Sequence, residues 1–368
     1  MKKVLFVGID VDDKQYQCAS ICQLSNDIRD FTCSPNAKSL INALKKLRDS
    51  GAVLKICYEA TYLGFSLFRE LKKSDFDCVI AAPSLIPQIP GKKQKTNRLD
   101  ARKLADFYMK GLLTFVHVPD EAQEKDRDLI RSRKFLVNQL SGLKNHIANL
   151  CRRMNWDYKT ECNKISYWTA DHVKWLKNKN KECTNQSLKI NLTILIRQLE
   201  QTKENISFYD TEVENLAEKE IYKKKVKALN CLRGFDTTTS MTIVTELGDI
   251  NRFDHPRRLT SYVGFDLIEY SSGDKEKKYK MSKDGNPHLR TTIIEACQFA
   301  IKPPTISNQL KRKRQGADKK IVDIADRCMK RLHSKGQRLL YKGKQRNKIK
   351  GACAREMLGF IWEILKAA

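Results

Sequence analysis

The chain has 368 residues, a formal net charge of +27 and 41% apolar residues. This length suggests two or three domains, and the apolar content suffices for packed cores, so wholesale disorder is not expected. So large a positive charge indicates a polyanionic partner, because Lys and Arg placed on phosphates release condensed counterions. A ribosomal or merely solubilising role would also give a basic chain, so charge by itself names nucleic acid and no reaction.

The first 116 residues alternate between strand and helix patterns. Two strands joined by a tight turn, KVLFVGIDV and KQYQCASICQL, precede a helix from Pro35 to Arg48 with leucines on one face. A strand VLKICYEA, a helix GFSLFRELKKS and a strand DCVIAAP follow. This alternation predicts an α/β layer with strands buried between helices.

The rest of the chain reads as mostly helical. A Pro-rich and then basic loop leads into the helix LDARKLADFYMKGLL. Between about 126 and 225, two long charged stretches each carry an apolar stripe, which predicts two helices packed antiparallel as a coiled coil. We assign no structure to the DYKTECNKISYWTADHVKWLKNKN link between them. A helix, a Gly-containing turn and a helix follow, then the Ser/Gly/Lys stretch YSSGDKEKKYKMSKDGN, the helix LRTTIIEACQFAI, and a basic tail with a last helix near Ala354 to Leu365.

The twelve cysteines are scattered through the chain. Cys18 and Cys22 have no second ligand pair, so a zinc site is not expected. The apolar run from Val4 to Ile9 is too short for the core of a signal peptide, and no later run could span a bilayer. We therefore expect reduced, mostly buried thiols in a cytoplasmic protein without membrane contact.

Three acidic residues lie at the boundaries of predicted strands and helices. Asp10 closes the first strand, Glu59 closes VLKICYEA, and Asp100 begins a helix. The ribonuclease H-like fold places acids in this way, because phosphodiester cleavage with two Mg²⁺ ions needs oxygen ligands from several elements. The sequence GID also resembles the phosphate loop of sugar kinases and chaperone ATPases, but their second Gly-rich motif is not visible. Each acid alone could serve a turn or a helix cap.

The stretches VGIDVDDKQY, CYEATYLGFSLFREL and KKQKTNRLDARKLADFY, in this order and spacing, resemble the amino-terminal half of IS110/IS1111 family transposases. Those enzymes carry a RuvC-like domain with a DEDD metal site, whose last two acids lie in a K-T-D-x-x-D-A pattern. In this chain, Asn97 occupies the position of the third acid of that site. The resemblance implies Mg²⁺ or Mn²⁺ held by Asp10, Glu59, Asn97 and Asp100, with weaker binding of the second ion because an amide brings no charge. Asp106 lies off the face of Asp100 and is not expected to replace it.

The stretch from LRGFDTTTSMTIVTELGD to HLRTTIIEA is similar to the transposase domain of the same family. Its opening resembles a helix-hairpin-helix segment, without the usual second Gly. The resemblance implies that Ser272, just before Gly273, attacks a DNA phosphate, so the catalytic set is Asp10, Glu59, Asp100 and Ser272. From the residues alone, SSG is an ordinary turn, and Ser271 is the rival nucleophile.

Two groups of basic residues flank these positions. We predict that they contact phosphates rather than form solvated faces only: Lys92, Lys93, Lys95 and Arg98 beside the carboxylates, and Lys280, Lys283 and Arg290 after the serine.

We thus predict an α/β RuvC-like domain (1–124), a helical coiled-coil insertion (125–225) and a mostly α-helical carboxy-terminal transposase domain (226–368). The predicted function is DNA transposition by site-specific recombination in the bacterial cytoplasm, at the nucleoid. Partners are the element ends and target DNA and further copies of the chain, as a dimer or tetramer; some members of the family also use a structured guide RNA. A Holliday-junction-type resolvase that uses water, and an inactive nucleic-acid-binding relic, are the alternatives.

Overall fold

The computed structural model describes residues 3–49, 51–87, 96–272 and 275–368, and for the residues among these between 268 and 280 it describes the backbone only. The chain divides into two compact units, Met1–Pro119 and Asp120–Ala368. In the described ranges, no helix combines the length and the apolarity needed to cross a membrane. The finer division at 124/125 and 225/226 stays a prediction.

A five-stranded mixed sheet forms the centre of the first unit. Its spatial order is β3-β2-β1-β4-β5, with β2 antiparallel to β1 and β3, and with β1, β4 and β5 parallel. This sheet is compatible with the predicted RuvC-like fold. The elements are β1 (Val4–Asp10), β2 (Tyr16–Cys22), β3 (Ile28–Cys33), α1 (Ala37–Arg48), β4 (Val53–Glu59), α2 (Ser66–Lys73), β5 (Asp77–Ala81), a 3₁₀ turn (Pro83–Leu85) and α3 (Asn97–Met109).

Helices cover both faces of this sheet, which is why the central strands are apolar along their length. Leu44 of α1 and Leu71 of α2 pack with Val7 and Ile56 on one face. On the other face, Leu104 of α3 packs with residues of β4 and β5. Successive strand residues point to opposite faces, so each strand supplies both layers.

The strand β3 was not predicted from the sequence. This strand lies at the sheet edge and is mostly exposed, so it lacks the apolar pattern that marked its neighbours. Its pairing with β2 is a backbone ladder that side-chain patterns do not reveal.

The second unit is mostly helical, with one two-stranded sheet. Its elements are α4 (Glu121–Arg153), α5 (Tyr158–Cys162), α6 (Ala170–Glu182), α7 (Gln186–Ala217), α8 (Glu220–Leu229), α9 (Thr237–Leu247), a 3₁₀ turn (Ile250–Arg252), α10 (Pro256–Val263), β6 (Leu267–Ser272), β7 (Lys275–Met281), α11 (Pro287–Ala296), a 3₁₀ turn (Cys297–Phe299), α12 (Asn308–Arg314), α13 (Lys319–Tyr341) and α14 (Arg346–Ala367).

The long helices α4 and α7 pack antiparallel. An ion pair of 2.5 Å joins Arg133 Nε to Asp210 Oδ1 near one end, and Ile147 packs with Ile196 and Leu199 toward the other. Whether the pair supercoils as a coiled coil stays a prediction.

The link left unassigned in the sequence forms α5 and α6 at the far end of this helix pair. The rings of Tyr158 and Trp175 lie 4.7 and 5.5 Å from that of His172. The Nδ1 atom of His172 accepts a hydrogen bond of 3.2 Å from the backbone N–H of Trp168. Burial lowers the pKa of His172 to about 4.

The main core of the second unit surrounds α14, where Ile349, Cys353, Leu358 and Ile361 are fully buried. The helix–turn–helix predicted around Gly234 is present as α8 and α9. All twelve cysteines of the chain are free and most are buried, as expected.

The Ser/Gly/Lys stretch contributes to an antiparallel pair of strands, β6 and β7, which the sequence pattern did not predict. The run is polar and lysine-rich, so it lacks the apolar alternation typical of a strand.

Candidate metal centre and serine strand

Asp10 and Glu59 are neighbours at one edge of the sheet. They end the adjacent parallel strands β1 and β4, and the residues before them, Ile9 and Tyr58, are paired in register. Neighbouring strands lie about 4.8 Å apart, so the two acids lie side by side. Both side chains are only partly buried.

Both acids also belong to the face that α3 covers. A Cβ on Gly8 would meet the carbonyl oxygen of Ala101, and the Sγ atom of Cys57 lies 3.5 Å from the carbonyl oxygen of Leu104. Gly8 and Cys57 therefore face α3. Because strand residues two apart share a face, Asp10 and Glu59 face α3 as well.

The close approach of α3 brings its first turn to these acids. A Cβ on Gly8 would lie 2.2 Å from Ala101 O and 2.5 Å from Ala105 N, so only glycine allows this packing. Asp100 directly precedes Ala101. Thr96 caps the helix, its side chain accepting a 3.3 Å hydrogen bond from Leu99 N, and this fixes where the first turn begins.

The donor set fits a hard divalent cation. Asp10, Glu59 and Asp100 offer carboxylates from three elements, and Asn97 lies three positions before Asp100, which places it on the same side of the helix. Among the described residues, no three Asp, Glu, His or Cys side chains already form a metal-sized cluster. Carboxylates brought closer would repel one another without a cation between them.

Asp106 is engaged elsewhere, in a 2.8 Å ion pair with Lys110. Asp12 accepts a 2.9 Å hydrogen bond from the backbone N–H of Lys14 in the turn after β1. The Asp13 carboxylate beside Tyr62 raises the pKa of that phenol to about 12. Of the additional acids of the VDD sequence, Asp12 thus serves the turn after β1, and Asp13 lies near Tyr62.

Arg98 lies in an ion pair. Its Nε is 2.9 Å from Asp30 Oδ2 on β3, and Arg102 Nε donates to Asp30 Oδ1 at 2.7 Å. The hydrogen bond from Arg102 is the largest cause of the lowered pKa of Asp30. This arrangement ties α3 to the edge strand. The other predicted phosphate contacts of this group, Lys92, Lys93 and Lys95, lie outside the described residues.

In the second unit, Ser272 is the last residue of β6 and is paired in register with Lys275. The side chains of Ser271, Ser272 and Lys280 lie outside the described part of the structure. Lys283 has a left-handed backbone, with φ of 60°. Arg290 donates through Nη1 to the carbonyl oxygens of Val263 and Lys283, at 2.9 and 3.2 Å. It therefore ties together the two chain segments that lead into and out of the hairpin.

A buried hydrogen-bond network, not predicted from the sequence, fixes the segment that follows the same hairpin. Glu246 of α9 is 3% exposed and accepts hydrogen bonds of 2.7 and 2.8 Å from Arg131 of α4. Asn286 Nδ2 also donates to Glu246, at 2.7 Å, while Asn286 Oδ1 caps the first turn of α11. The one signal in the sequence was an acid inside the apolar segment MTIVTEL.

Comparisons with known proteins agree with this architecture. Residues 7–155 match the IS110 DEDD transposase model, described as "Transposase", and residues 226–311 match the model described as "Transposase IS116/IS110/IS902 family". The first match implies the use of a divalent metal ion, and both imply DNA as a partner.

Three transposases are similar over most of their length. The chain is 29% identical over 326 residues to the putative transposase y4qE of Sinorhizobium fredii, covering 89% of this chain and 79% of that protein. It is 29% identical over 353 residues to the transposase for insertion sequence element IS1533 of Leptospira borgpetersenii, covering 94% and 99%. It is 22% identical over 311 residues to the transposase for insertion sequence element IS1111A of Coxiella burnetii, covering 82% and 79%. The chain therefore belongs to the IS110/IS1111 family of transposases and is an enzyme that acts as a DNA transposase.

Proposed function

We propose that this transposase recombines DNA at specific sites by combining a carboxylate metal centre with a serine nucleophile. The observation that supports the first half is that Asp10 and Glu59 end adjacent parallel strands on the face against which the first part of α3, the helix of Asp100, packs. The second half comes from the family resemblance around Ser272. Mg²⁺ or Mn²⁺ is the proposed ion, because the donors are hard oxygen atoms.

The chain's own residues set the properties of the metal centre. Asp10, Glu59 and Asp100 bind the divalent ion, which when bound supplies Lewis acidity to the phosphate oxygens. Asn97 offers a neutral amide oxygen, so the site holds one negative charge fewer than a site of four acids. Its affinity for a second cation is correspondingly lower.

The serine step is a transesterification. The Ser272 Oγ atom bonds to the phosphorus, the bond from phosphorus to one deoxyribose oxygen breaks, and that oxygen takes a proton as the hydroxyl proton of Ser272 leaves. The new phosphoserine ester replaces the phosphoester bond that breaks, so the bond energy is conserved and the strand can be rejoined to another end without ATP. The chemistry requires that the carboxylates and Ser272, from one chain or from two copies, reach the same phosphate.

Further copies of the chain belong to this proposal, since recombination needs several strand cuts and so several active sites. A dimer or tetramer supplies them, with the antiparallel α4–α7 pair, proposed to be a coiled coil, as the assembly element. A structured guide RNA is a proposed additional partner, and the bacterial nucleoid is the proposed place of action.

The proposal is tested by scoring excision and insertion of the native element in a bacterial host. Wild type is compared with Ser272→Ala, Ser271→Ala and Asp10→Ala, and protein–DNA adducts are trapped by denaturation. We expect Ser272→Ala to lose both recombination and adduct, Ser271→Ala to keep both, and Asp10→Ala to lose recombination.

Other outcomes are equally informative. Cleavage that survives Ser272→Ala but not Asp10→Ala would show a resolvase-type nuclease that uses water. Absence of cleavage in the wild type, with DNA binding retained, would identify an inactive nucleic-acid-binding relic. Loss of the adduct in Ser271→Ala, with Ser272→Ala active, would move the nucleophile by one residue.

A further inference from the structure

The connection between α13 and α14 is unusually basic. From Arg327 to Arg355 the chain has eleven Lys and Arg residues and no Asp or Glu. The two helices run antiparallel, because Arg327 pairs with Glu363 and Arg331 with Glu356. The segment is therefore a helical hairpin whose turn, at 342–345, lies within the basic run.

Three cations at the base of this hairpin, Arg327, Arg331 and Lys335, are compensated by acids of α14. Glu356 of α14 lies between two cations of α13, Arg331 and Lys335, with a distance of 2.7 Å from Lys335 Nζ to Glu356 Oε2. These contacts explain why the pKa of Glu356 is lowered although burial opposes that shift. These three cations therefore join α13 to α14 at the base of the hairpin.

The charges at the tip are not compensated. We define the α13–α14 tip as Lys342, Lys344, Arg346 and Lys348, all of which are exposed. Among the residues that the structure describes, none of the four takes part in an ion pair. Four cations within seven positions repel one another, and water and salt alone screen them.

Two of these cations lie where a helix disfavours them. Arg346 and Lys348 belong to the first turn of α14, at the positive end of the helix dipole. The residue at the cap position, Gln345, makes no side-chain hydrogen bond to this turn, and the turn contains no acid. Free N–H groups, the dipole and two side-chain cations therefore all favour an anion at this point.

The tip is held by a well-packed base. Ile349 and Cys353 of α14 are fully buried, and Leu332 of α13 is 3% exposed. Tyr341, beside the tip, is 94% exposed and offers an aromatic surface next to the cations. A basic protrusion that is fixed in place and free of acids is suited to an extended polyanion rather than to a small ligand in a pocket.

We propose that the α13–α14 tip binds the phosphodiester backbone of nucleic acid without reading its base sequence. Backbone contacts position a protein on a nucleic acid, whereas sequence is read from base edges. The ligand is a row of backbone phosphates, which duplex DNA and structured RNA have in common. This binding does not depend on the proposed roles of Ser272 and of the carboxylates.

The test compares two full-length variants that each lose four exposed cations. One carries Lys342→Ala, Lys344→Ala, Arg346→Ala and Lys348→Ala. The matched control carries Lys181→Ala, Lys189→Ala, Arg197→Ala and Lys224→Ala, which removes the same residue types from α6, α7 and α8. Affinity is measured by fluorescence anisotropy against salt concentration, with element-end DNA, unrelated duplex DNA and double-stranded RNA, and urea midpoints report folding.

We expect the tip variant to bind roughly tenfold to a hundredfold more weakly, and its log–log salt slope to fall by roughly 2 to 4, because each lost phosphate contact removes about 0.9. The element-end and unrelated DNA duplexes should lose affinity equally. A fall on DNA alone identifies DNA as the partner, and a fall on RNA alone identifies RNA. Equal losses in the tip and control variants, or an unchanged slope on both nucleic acids, overturn the proposal.

A single substitution separates binding from folding. Gln345→Asp supplies the missing cap to α14 and should raise the urea midpoint. The same carboxylate repels phosphate and should weaken binding severalfold. A purely structural tip would give the higher midpoint with unchanged affinity, and that result would also overturn the proposal.

Discussion

Arg131 and Glu246 form a two-point ion pair, with distances of 2.7 and 2.8 Å, although 115 positions separate them in the chain. The pair joins the long helix α4 to α9. Through Asn286 it also reaches the segment that follows the β6–β7 hairpin. The mutual position of these three segments therefore depends on one buried carboxylate.

Replacing Arg131 with Ala should lower the free energy of unfolding by about 2–4 kcal/mol. Removal of one partner leaves the Glu246 carboxylate buried with fewer donors, and such breaks are costly. Urea unfolding of the two proteins measures the difference. Arg258→Ala is the control, because its pair with Asp254 has both side chains about 70% exposed, and it should cost less than about 1 kcal/mol. Equal effects of the two changes would contradict a structural role for the buried pair.

Gly8→Ala should loosen α3 from the sheet. The new Cβ would meet backbone atoms of Ala101 and Ala105 at 2.2 and 2.5 Å, and backbone cannot move aside as a side chain can. We expect a loss of about 2–3 kcal/mol in unfolding free energy, and a loss of strand cutting because Asp100 shifts relative to Asp10. Gly142→Ala in α4 adds a methyl group with nothing within 4 Å and should stabilise the chain by about 0.5–1 kcal/mol. An unchanged melting temperature for Gly8→Ala would show that α3 does not pack this closely.

Asn97→Asp should strengthen metal binding. A fourth carboxylate on the side of Asp100 adds a negative charge near the cation, and we expect the dissociation constant for Mg²⁺ to fall roughly tenfold, or about 1.4 kcal/mol. Isothermal titration calorimetry on the purified chain measures it without DNA. Asp106→Asn is the control and should leave the affinity unchanged, because Asp106 pairs with Lys110. Weaker binding in Asp106→Asn would place that acid in the metal centre.

The α5–α6 region should become less stable at acidic pH, because the ring of His172 then becomes protonated. The pKa of His172 is lowered from 6.5 to about 4 in the folded chain, so folding favours the neutral ring. Its contribution is complete above pH 6.5 and is lost as the pH falls toward 4, up to about 3 kcal/mol. Protonation would place a cation among Tyr158, Tyr167, Trp168 and Trp175 and near Lys203.

Urea unfolding between pH 4 and 7.5 tests this dependence. His172→Phe keeps an aromatic ring but loses the acceptor for Trp168 N–H, so it should be about 1 kcal/mol less stable at neutral pH. Its stability should nevertheless vary less with pH than that of the wild type. His146→Gln, at an exposed position of α4, is the matched control. Parallel profiles for wild type and His172→Phe would disprove the role of this ring.

The sequence revealed the elements that bury apolar surface. The runs around Val7 and Ile56 mark β1 and β4, and their terminal acids follow from them. The strand β3 and the β6–β7 hairpin were not predicted, because their residues are largely polar and their pairing rests on backbone hydrogen bonds. Spacing along the chain also could not show that Ile9 and Tyr58 are in register, which is what places the two acids side by side.

Long-range polar contacts were equally hidden from the sequence. Nothing near Glu246 in the chain indicates Arg131 as its partner, because the contact depends on how α4 packs on α9. The sequence also held no sign that Arg98, predicted to contact phosphate, would also pair with Asp30 of the edge strand. A charge in a sequence predicts a binding residue only after its neighbours in space are known.

The antiparallel α4–α7 pair has two separate cores with a stretch between them that holds no fully buried side chain, from 131 to 146 on one helix and from 200 to 212 on the other. The far core around Leu176 and Leu192 therefore gains little cooperativity from the near one. We expect it to open as its own foldon. Amide hydrogens of α5 and α6 should exchange with deuterium well before those of α14, at a rate governed by a local opening rather than by global unfolding. The far core, with α5 and α6, can thus unfold locally and refold while the rest of the second unit stays native.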